Sequence, residues 1–253
     1  MKSLLKKLFL NYLDKKGLHI VKKYKMPAEI TINEKKIILR SLKYSMTTNI
    51  RMWALLQSAK EVLRKKIKGD FVECGVWRGG NIILLKNILE QQKIKKNVYG
   101  FDTFEGMTEP TRHDVDTENN SALALMKKID KKDQEFSIWA YSSLQNTKNN
   151  IFNNIKSKKN LKLIQGKVED TLVIKNNIPK KISLLRLDTD WYESTKIELE
   201  ILYPLLQKGG ILIIDDYGHF KGCRKAVDEY FSKHKIKLRL HYVDYTCRLI
   251  IKE

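Results

Sequence analysis

The chain has 253 residues, 42% of them hydrophobic, which excludes disorder throughout. At roughly 150 residues per domain it is expected to form one large domain, or one domain with a small appendage. Lys and Arg number 49 against 29 Asp and Glu, and the resulting net charge of +20 attracts anions such as nucleic acid, phosphorylated metabolites or an acidic membrane surface.

Cys74, Cys223 and Cys247 are odd in number, widely spaced and without a nearby His cluster, so neither a disulfide framework nor a zinc site is expected. A reducing, cytoplasmic location suits them. Leu4, Leu5, Leu8, Phe9, Tyr12 and Leu13 recur at helical spacing, with Lys2, Lys6, Lys7, Lys15 and Lys16 mostly off that face. Lys6 and Lys7 interrupt the segment well short of the ~18 apolar residues of a spanning helix, and no small-residue cleavage site follows. Such a basic amphipathic helix either docks on anionic lipid at the inner membrane face or packs on the protein body or a second subunit. A polar stretch over residues 24–36 leads to a second helical pattern over residues 46–66.

From Asp70 the texture changes. Apolar runs at residues 70–76, 97–103, 161–166, 182–189 and 210–216 alternate with longer amphipathic segments, the pattern of parallel strands covered by helices on both faces. Two further runs, 238–243 and 247–251, are joined too closely for a helical crossover, so the sheet should end in an antiparallel strand. The fold class is therefore α/β, a doubly wound and mostly parallel sheet. Residues 105–135 fit no strand–helix alternation and follow the second strand at the ligand-binding edge, as a lid or substrate loop would, or an ordinary surface excursion.

Phe71-Val72-Glu73-Cys74-Gly75-Val76-Trp77-Arg78-Gly79-Gly80-Asn81 reads as strand, glycine turn and helix start, where the backbone turns tightly and a ligand can approach. The next strand ends on Asp102, a carboxylate able to accept both hydroxyls of a ribose. Together they suggest a nucleoside-containing cofactor, with NAD and S-adenosylmethionine both open. Asp188, after one apolar strand, and Asp215 and Asp216, after another, reach the same sheet edge. Three carboxylates there repel unless protons or a cation neutralise them, and an all-oxygen donor set favours Mg²⁺. Asp190 lies two residues on, placed to take a proton from a substrate hydroxyl.

Tyr192 and Lys196 have the Tyr-x-x-x-Lys spacing of short-chain dehydrogenases, but the glycine pattern of those enzymes is absent. A basic binding module on nucleic acid or membrane is the rival from another class, although basic and aromatic residues are not interleaved as in known recognition patterns. An RNA acceptor suits the three-Asp site less well than vicinal oxygens on a small molecule. His219 and His113 are expected to be structural, and Trp77 and Trp191 to pack beside the cleft.

Five blocks in order resemble the macrocin O-methyltransferase (TylF-like) family. They are the glycine-turn block; Gly100-Phe101-Asp102-Thr103-Phe104-Glu105-Gly106-Met107; Gly166-Lys167-Val168-Glu169-Asp170-Thr171-Leu172; Leu187-Asp188-Thr189-Asp190-Trp191-Tyr192-Glu193-Ser194-Thr195; and Asp215-Asp216-Tyr217-Gly218 with Cys223-Arg224-Lys225-Ala226-Val227-Asp228. The resemblance spans about residues 46–231 and implies a seven-stranded class I methyltransferase domain over residues 46–253, behind a helical extension of residues 1–45. It also implies S-adenosylmethionine as donor and Mg²⁺-dependent methylation of sugar hydroxyls. Carried over, Asp188, Asp215 and Asp216 match metal ligands and Asp190 the general base. Glu73, Gly75 and Gly79 match the methionine side of the cofactor pocket, Asp102 the ribose carboxylate, Val168 and Glu169 the adenine turn, and Thr47 and Thr48 the lid. The family's glycine-then-aromatic turn reads Gly166-Lys167-Val168 here. The basic surface makes a nucleotide-linked or otherwise anionic glycan the expected acceptor, and a homo-oligomer is left open.

Overall fold

The computed structural model describes residues 26–129 and 137–253, together with Phe9; the amphipathic segment at the N-terminus otherwise lies outside the described residues. Strands β1 (Asp70–Cys74), β2 (Val98–Asp102), β3 (Leu161–Gln165), β4 (Ile182–Leu187), β5 (Leu206–Ile214), β6 (His241–Tyr242) and β7 (Arg248–Ile251) form one sheet in the order β3-β2-β1-β4-β5-β7-β6. The pairs from β3 to β5 are parallel, and β7 is antiparallel to both β5 and β6. The chain winds outward from β1 to β3 and then restarts at β4 on the other side. This reversal opens a crevice beyond the carboxyl ends of β1 and β4.

Successive strand residues face opposite layers. Val72, Leu185 and Leu212 join the core under α7 (Tyr192–Leu202) and α8 (Lys221–Lys233). Phe71, Leu184 and Ile211 join the core under α1 (Ile32–Ser41), α2 (Asn49–Arg64) and α3 (Gly80–Gln91). Burial on both faces is why β1 and β4 read as largely apolar runs, interrupted by Glu73 in β1 and by Ser183 and Arg186 in β4. Three shorter helices, α4 (Ala122–Lys127), α5 (Leu144–Phe152) and α6 (Val168–Thr171), lie between β2 and β4.

Three local differences from the sequence expectation have clear causes. Helix α1 emerges from the polar stretch because Thr31 and Glu34 form a reciprocal capping box, and Ile37 and Ile38 anchor it in the second core. β5 starts at Leu206 rather than Gly210, since its polar first turn pairs across a register shift against Ile182 and Leu184. β6 has only two paired residues; Leu238 and Leu240 pack on the first core while the charged Lys237 and Arg239 alternate with them at the sheet edge. Among the described residues no helix is long and apolar enough to cross a membrane.

Candidate active site

A cleft of about 1040 Å³, its open mouth included, lies at the crevice. Thr47, Gly75, Asp102, Val168, Glu169, Asp188, Asp190, Asp215 and Asp216 all line it, so nine of the sequence-predicted residues converge. Glu73 and Gly79 do not line it.

The acidic cluster is the electrostatic centre. Asp188, Asp215 and Asp216 each offer a carboxylate oxygen within 4.8 Å of the others. Oxygens on opposite sides of one Mg²⁺ stand about 4.2 Å apart, twice the ~2.1 Å bond, so the cluster is close to ion-holding size. Its charge is shared with two arginines. Arg186, in the middle of β4, donates from Nη1 to Glu73 Oε1 (2.9 Å) and Asp188 Oδ2 (2.6 Å), and from Nη2 to Asp215 Oδ1 (2.6 Å). Arg51, on the first turn of α2, donates from Nη1 to Asp215 Oδ2 (2.5 Å) and from Nε to Asp244 Oδ2 (2.7 Å).

Two guanidiniums do not balance six acids, Glu73, Asp188, Asp190, Asp215, Asp216 and Asp244. Burial, followed by the charges of Asp190 and Asp215, pushes Asp216 well above the usual carboxylate range. Burial also raises Asp188, with Arg186 opposing. Burial pushes Asp190 up to about 7 and Glu73 to about 7. By contrast, Asp215 is held down, because Arg186 and Arg51 outweigh its burial. Asp216 Oδ2 is buried with no hydrogen-bond partner among the described residues. Burial and mutual repulsion thus disfavour the charged forms of these acids, a penalty that a divalent cation among them would offset.

Asp190 is set by a strained turn. Its φ of 64° lies in the left-handed region, which Asp tolerates better than most residues. Trp191 N–H donates to Thr189 O (2.7 Å), and the Thr189 hydroxyl donates to Glu198 Oε1 (2.9 Å) on α7. Asp114, buried in the 105–135 segment, accepts from Tyr192 N–H at the start of α7 (2.8 Å) and from Thr111 N–H (2.6 Å). That segment is thus tied to the catalytic edge, and its Gly106, Met107 and Thr108 line the cleft; residues 130–136 lie outside the described residues.

Asp102 organises the glycine turn. Its Oδ2 accepts from the N–H groups of Val76 (2.7 Å) and Trp77 (2.8 Å), and its Oδ1 from Phe104 N–H (2.6 Å). Trp77 and Phe104 are both left-handed, at φ 48° and 53°, so one carboxylate pins two strained turns. The Thr103 hydroxyl is a fourth, longer donor to Oδ1 (3.5 Å), so a ligand hydroxyl would take the place of this weakest partner. Gly75 is required for strand packing, since a Cβ there would lie 2.0 Å from Asp188 O. Gly79 turns the chain into α3, where a Cβ would meet the Ile151 side chain of α5. Glu73 lies one layer below the cleft and accepts from Asn81 Nδ2 (2.7 Å), and Asn81 itself lines the cleft. Buried acceptors without partners among the described residues, Thr47 Oγ1, Asn81 Oδ1 and Glu169 Oε2, belong to cleft residues.

Sequence reading missed Arg51, Asn81, Asp114 and Arg186. Arg186 had a visible signal, a single charge inside Leu184-Leu185-Arg186-Leu187. Tyr192 and Lys196 do not line the cleft; the Tyr192 hydroxyl donates to Glu229 Oε2 at 2.7 Å. His219 contacts the rings of Phe220 and Tyr245, and His113 that of Tyr192. Trp77 lines the cleft, while Trp191 is buried with its Nε1 donating to Thr108 O.

A sequence model of the macrocin O-methyltransferase (TylF) family matches residues 1–252. The chain belongs to this family. It is an S-adenosylmethionine-dependent O-methyltransferase. Among relatives of this macrocin O-methyltransferase family member, demethyldecarbamoylnovobiocin O-methyltransferase of Streptomyces niveus is 31% identical over 196 residues, covering 77% of this chain and 70% of the relative. The 8-demethyl-8-(2,3-dimethoxy-alpha-L-rhamnosyl)-tetracenomycin-C 4'-O-methyltransferase of Streptomyces olivaceus is 32% identical over 215 residues, covering 81% and 74%. The structure of the O-methyltransferase NovP superposes with a TM-score of 0.70 at 28% identity, over 83% of this chain and 82% of that one.

Proposed function

We propose that this O-methyltransferase acts on a sugar hydroxyl and does so with Mg²⁺. The observation that carries the reading is the placement of Asp190 beside the Asp188–Asp215–Asp216 cluster in one cleft. The donor set fits a hard cation: it is all oxygen, and Asp216 Oδ2 has no protein partner among the described residues. The cleft fits the methyl donor. The unpartnered acceptors on Thr47, Asn81 and Glu169 suit its hydroxyl and amino groups, and Val168 supplies an apolar wall.

In this reading Asp188, Asp215 and Asp216 hold the ion. Thr47, Gly75, Asp102, Val168 and Glu169 hold the cofactor, with Glu73 and Gly79 supporting from behind. S-adenosylmethionine supplies an electrophilic methyl group, and Mg²⁺ lowers the pKa of a hydroxyl that it binds. Asp190 accepts the hydroxyl proton as the carbon–oxygen bond forms. Burial raises its pKa in the cation-free protein, and a divalent ion held beside it would lower it again, leaving the carboxylate ionised and ready to accept a proton. The turn through Thr189 and Trp191 fixes the carboxylate, so little orientation is lost on binding.

The acceptor class follows from two supports. One curated relative is, by its name, a 4'-O-methyltransferase of a rhamnosyl compound. The net charge of +20 favours an anionic acceptor, such as a nucleotide-linked sugar or a surface-polysaccharide precursor. The test is methyl transfer from labelled S-adenosylmethionine across nucleotide sugars and neutral glycosides, with chelator and with Mg²⁺ restored. Full activity in excess chelator would remove the ion from the reading, and transfer to none of the sugars would remove the acceptor.

A further inference from the structure

Both oxygens of Asp215 already face a guanidinium. Oδ1 is taken by Arg186 and Oδ2 by Arg51, yet this is one of the carboxylates that the proposed function gives to a divalent ion. The two arginines are held differently. Arg186 lies on a central strand, is 3% exposed, and is bound by three carboxylates, one from within β1 and two from the ends of β4 and β5. Arg51 reaches in from α2, is 13% exposed, and has a second partner, Asp244, in the β6–β7 turn. Asp244 is fixed independently: its Oδ1 accepts from Thr246 N–H (3.1 Å) and Cys247 N–H (2.9 Å), and its Oδ2 also accepts from the Thr48 hydroxyl (3.3 Å).

We infer that Arg51 is an internal counter-ion that occupies Asp215 Oδ2 in the cation-free protein and gives it up to the divalent ion, remaining on Asp244. A guanidinium and a divalent ion on the same carboxylate oxygen repel each other, and Arg186 cannot leave without stranding Glu73 in the core. Arg51 has somewhere to go. It therefore lowers the affinity of the site for the ion and keeps the acids folded when none is bound. Arg51 lines the same cleft as Ser45, Met46 and Thr47, so the exchange takes place within the cleft.

The inference rests on the cation-site reading, and the experiment separates the two. Mn²⁺ binding is titrated by electron paramagnetic resonance in the wild type, Arg51→Gln, Arg51→Met and Asp216→Asn. Removing the guanidinium should tighten Mn²⁺ binding about tenfold or more, the low end of the one-to-three-decade effect of a neighbouring charge on a carboxylate. Asp216→Asn should lose binding. No Mn²⁺ binding in any protein would sink the cation site and this inference with it, whereas unchanged or weaker binding in both Arg51 variants would sink the role of Arg51 alone. Should both variants fail to fold, the wild type still decides through nitrogen-15 arginine spectra. Saturating Mg²⁺ should shift the Arg51 Nη signals, which leave Asp215, while the Nε signals of Arg51, still on Asp244, and of Arg186 stay in place; unmoved Arg51 Nη signals would overturn the inference.

Discussion

Gly75→Ala tests whether the packing of β1 against β4 sets the position of the acids proposed to carry the reaction. The new Cβ would lie 2.0 Å from Asp188 O, where a relaxed carbon–oxygen contact needs about 3.3 Å or more, so the two strand ends must part by over about 1 Å. They resist parting, because Gly75 N–H donates to Phe101 O (2.8 Å) and Asp188 N–H to Cys74 O (2.9 Å). A left-handed φ of 84° adds roughly 1–2 kcal/mol for any residue with a Cβ. For a chain of this size that backbone cost alone lowers the melting temperature by roughly 2–8 °C. Asp188 carries Asp190 two residues further on, and a shift of about 1 Å at a reacting group costs about 10²-fold. Steady-state methyl transfer and calorimetric melting of the same preparation measure both effects. Gly79→Ala is the internal control: it shares the positive φ, but its Cβ meets only the movable Ile151 and Thr147 side chains, so stability should fall with a smaller loss of kcat. If Gly75→Ala keeps activity within a few-fold of the parent, strand packing does not fix the acids and the reasoning fails.

Asp190→Asn keeps the left-handed turn but removes the base, and should lower kcat about 10²–10⁴-fold while leaving cofactor affinity measured by calorimetry unchanged; an active variant would take Asp190 out of the chemistry. The cation-free protein should lose stability as pH rises. Burial raises Asp190 and Glu73 to about 7 in the folded state, whereas unfolded carboxyls titrate near about 4. The folded state thus binds more protons between those values, and stability falls from pH 5 to pH 8, with Mg²⁺ flattening the trend in melting scans; an opposite slope would refute the assignment. Burial already disfavours the charged form of Asp216, so Asp216→Asn should leave the melting temperature of the cation-free protein nearly unchanged at neutral pH and abolish any rise on adding Mg²⁺. A rise with Mg²⁺ that survives in the variant would take Asp216 out of the cation site.

Much of this site was legible because parallel strands deliver their carboxyl ends to one edge. Asp188, Asp215 and Asp216 follow largely apolar strand ends, so their meeting required only the sheet. What was not legible is what answers their charge. Arg51 is one of 49 basic residues, and its partners lie 164 and 193 positions away, so no local pattern marks it. Asp114 caps α7 from 78 residues away for the same reason. The glycines were found, but their purpose differs. Spacing signals a turn, whereas only the coordinates reveal that Gly75 faces a neighbouring carbonyl. The helical face of α1 was hidden by its lysines, although Thr31 and Glu34 carried the capping signature.

Arg186 gives this enzyme an unusual inheritance. One guanidinium joins the interior of β1, the end of β4 and the end of β5, so the acids that face solvent chemistry also neutralise a cation at the centre of the sheet. A lineage that ceased to methylate could not let those aspartates drift singly, because each loss would strand a buried charge. Descendants without the acids should therefore also lack the arginine, with both replaced together by apolar side chains.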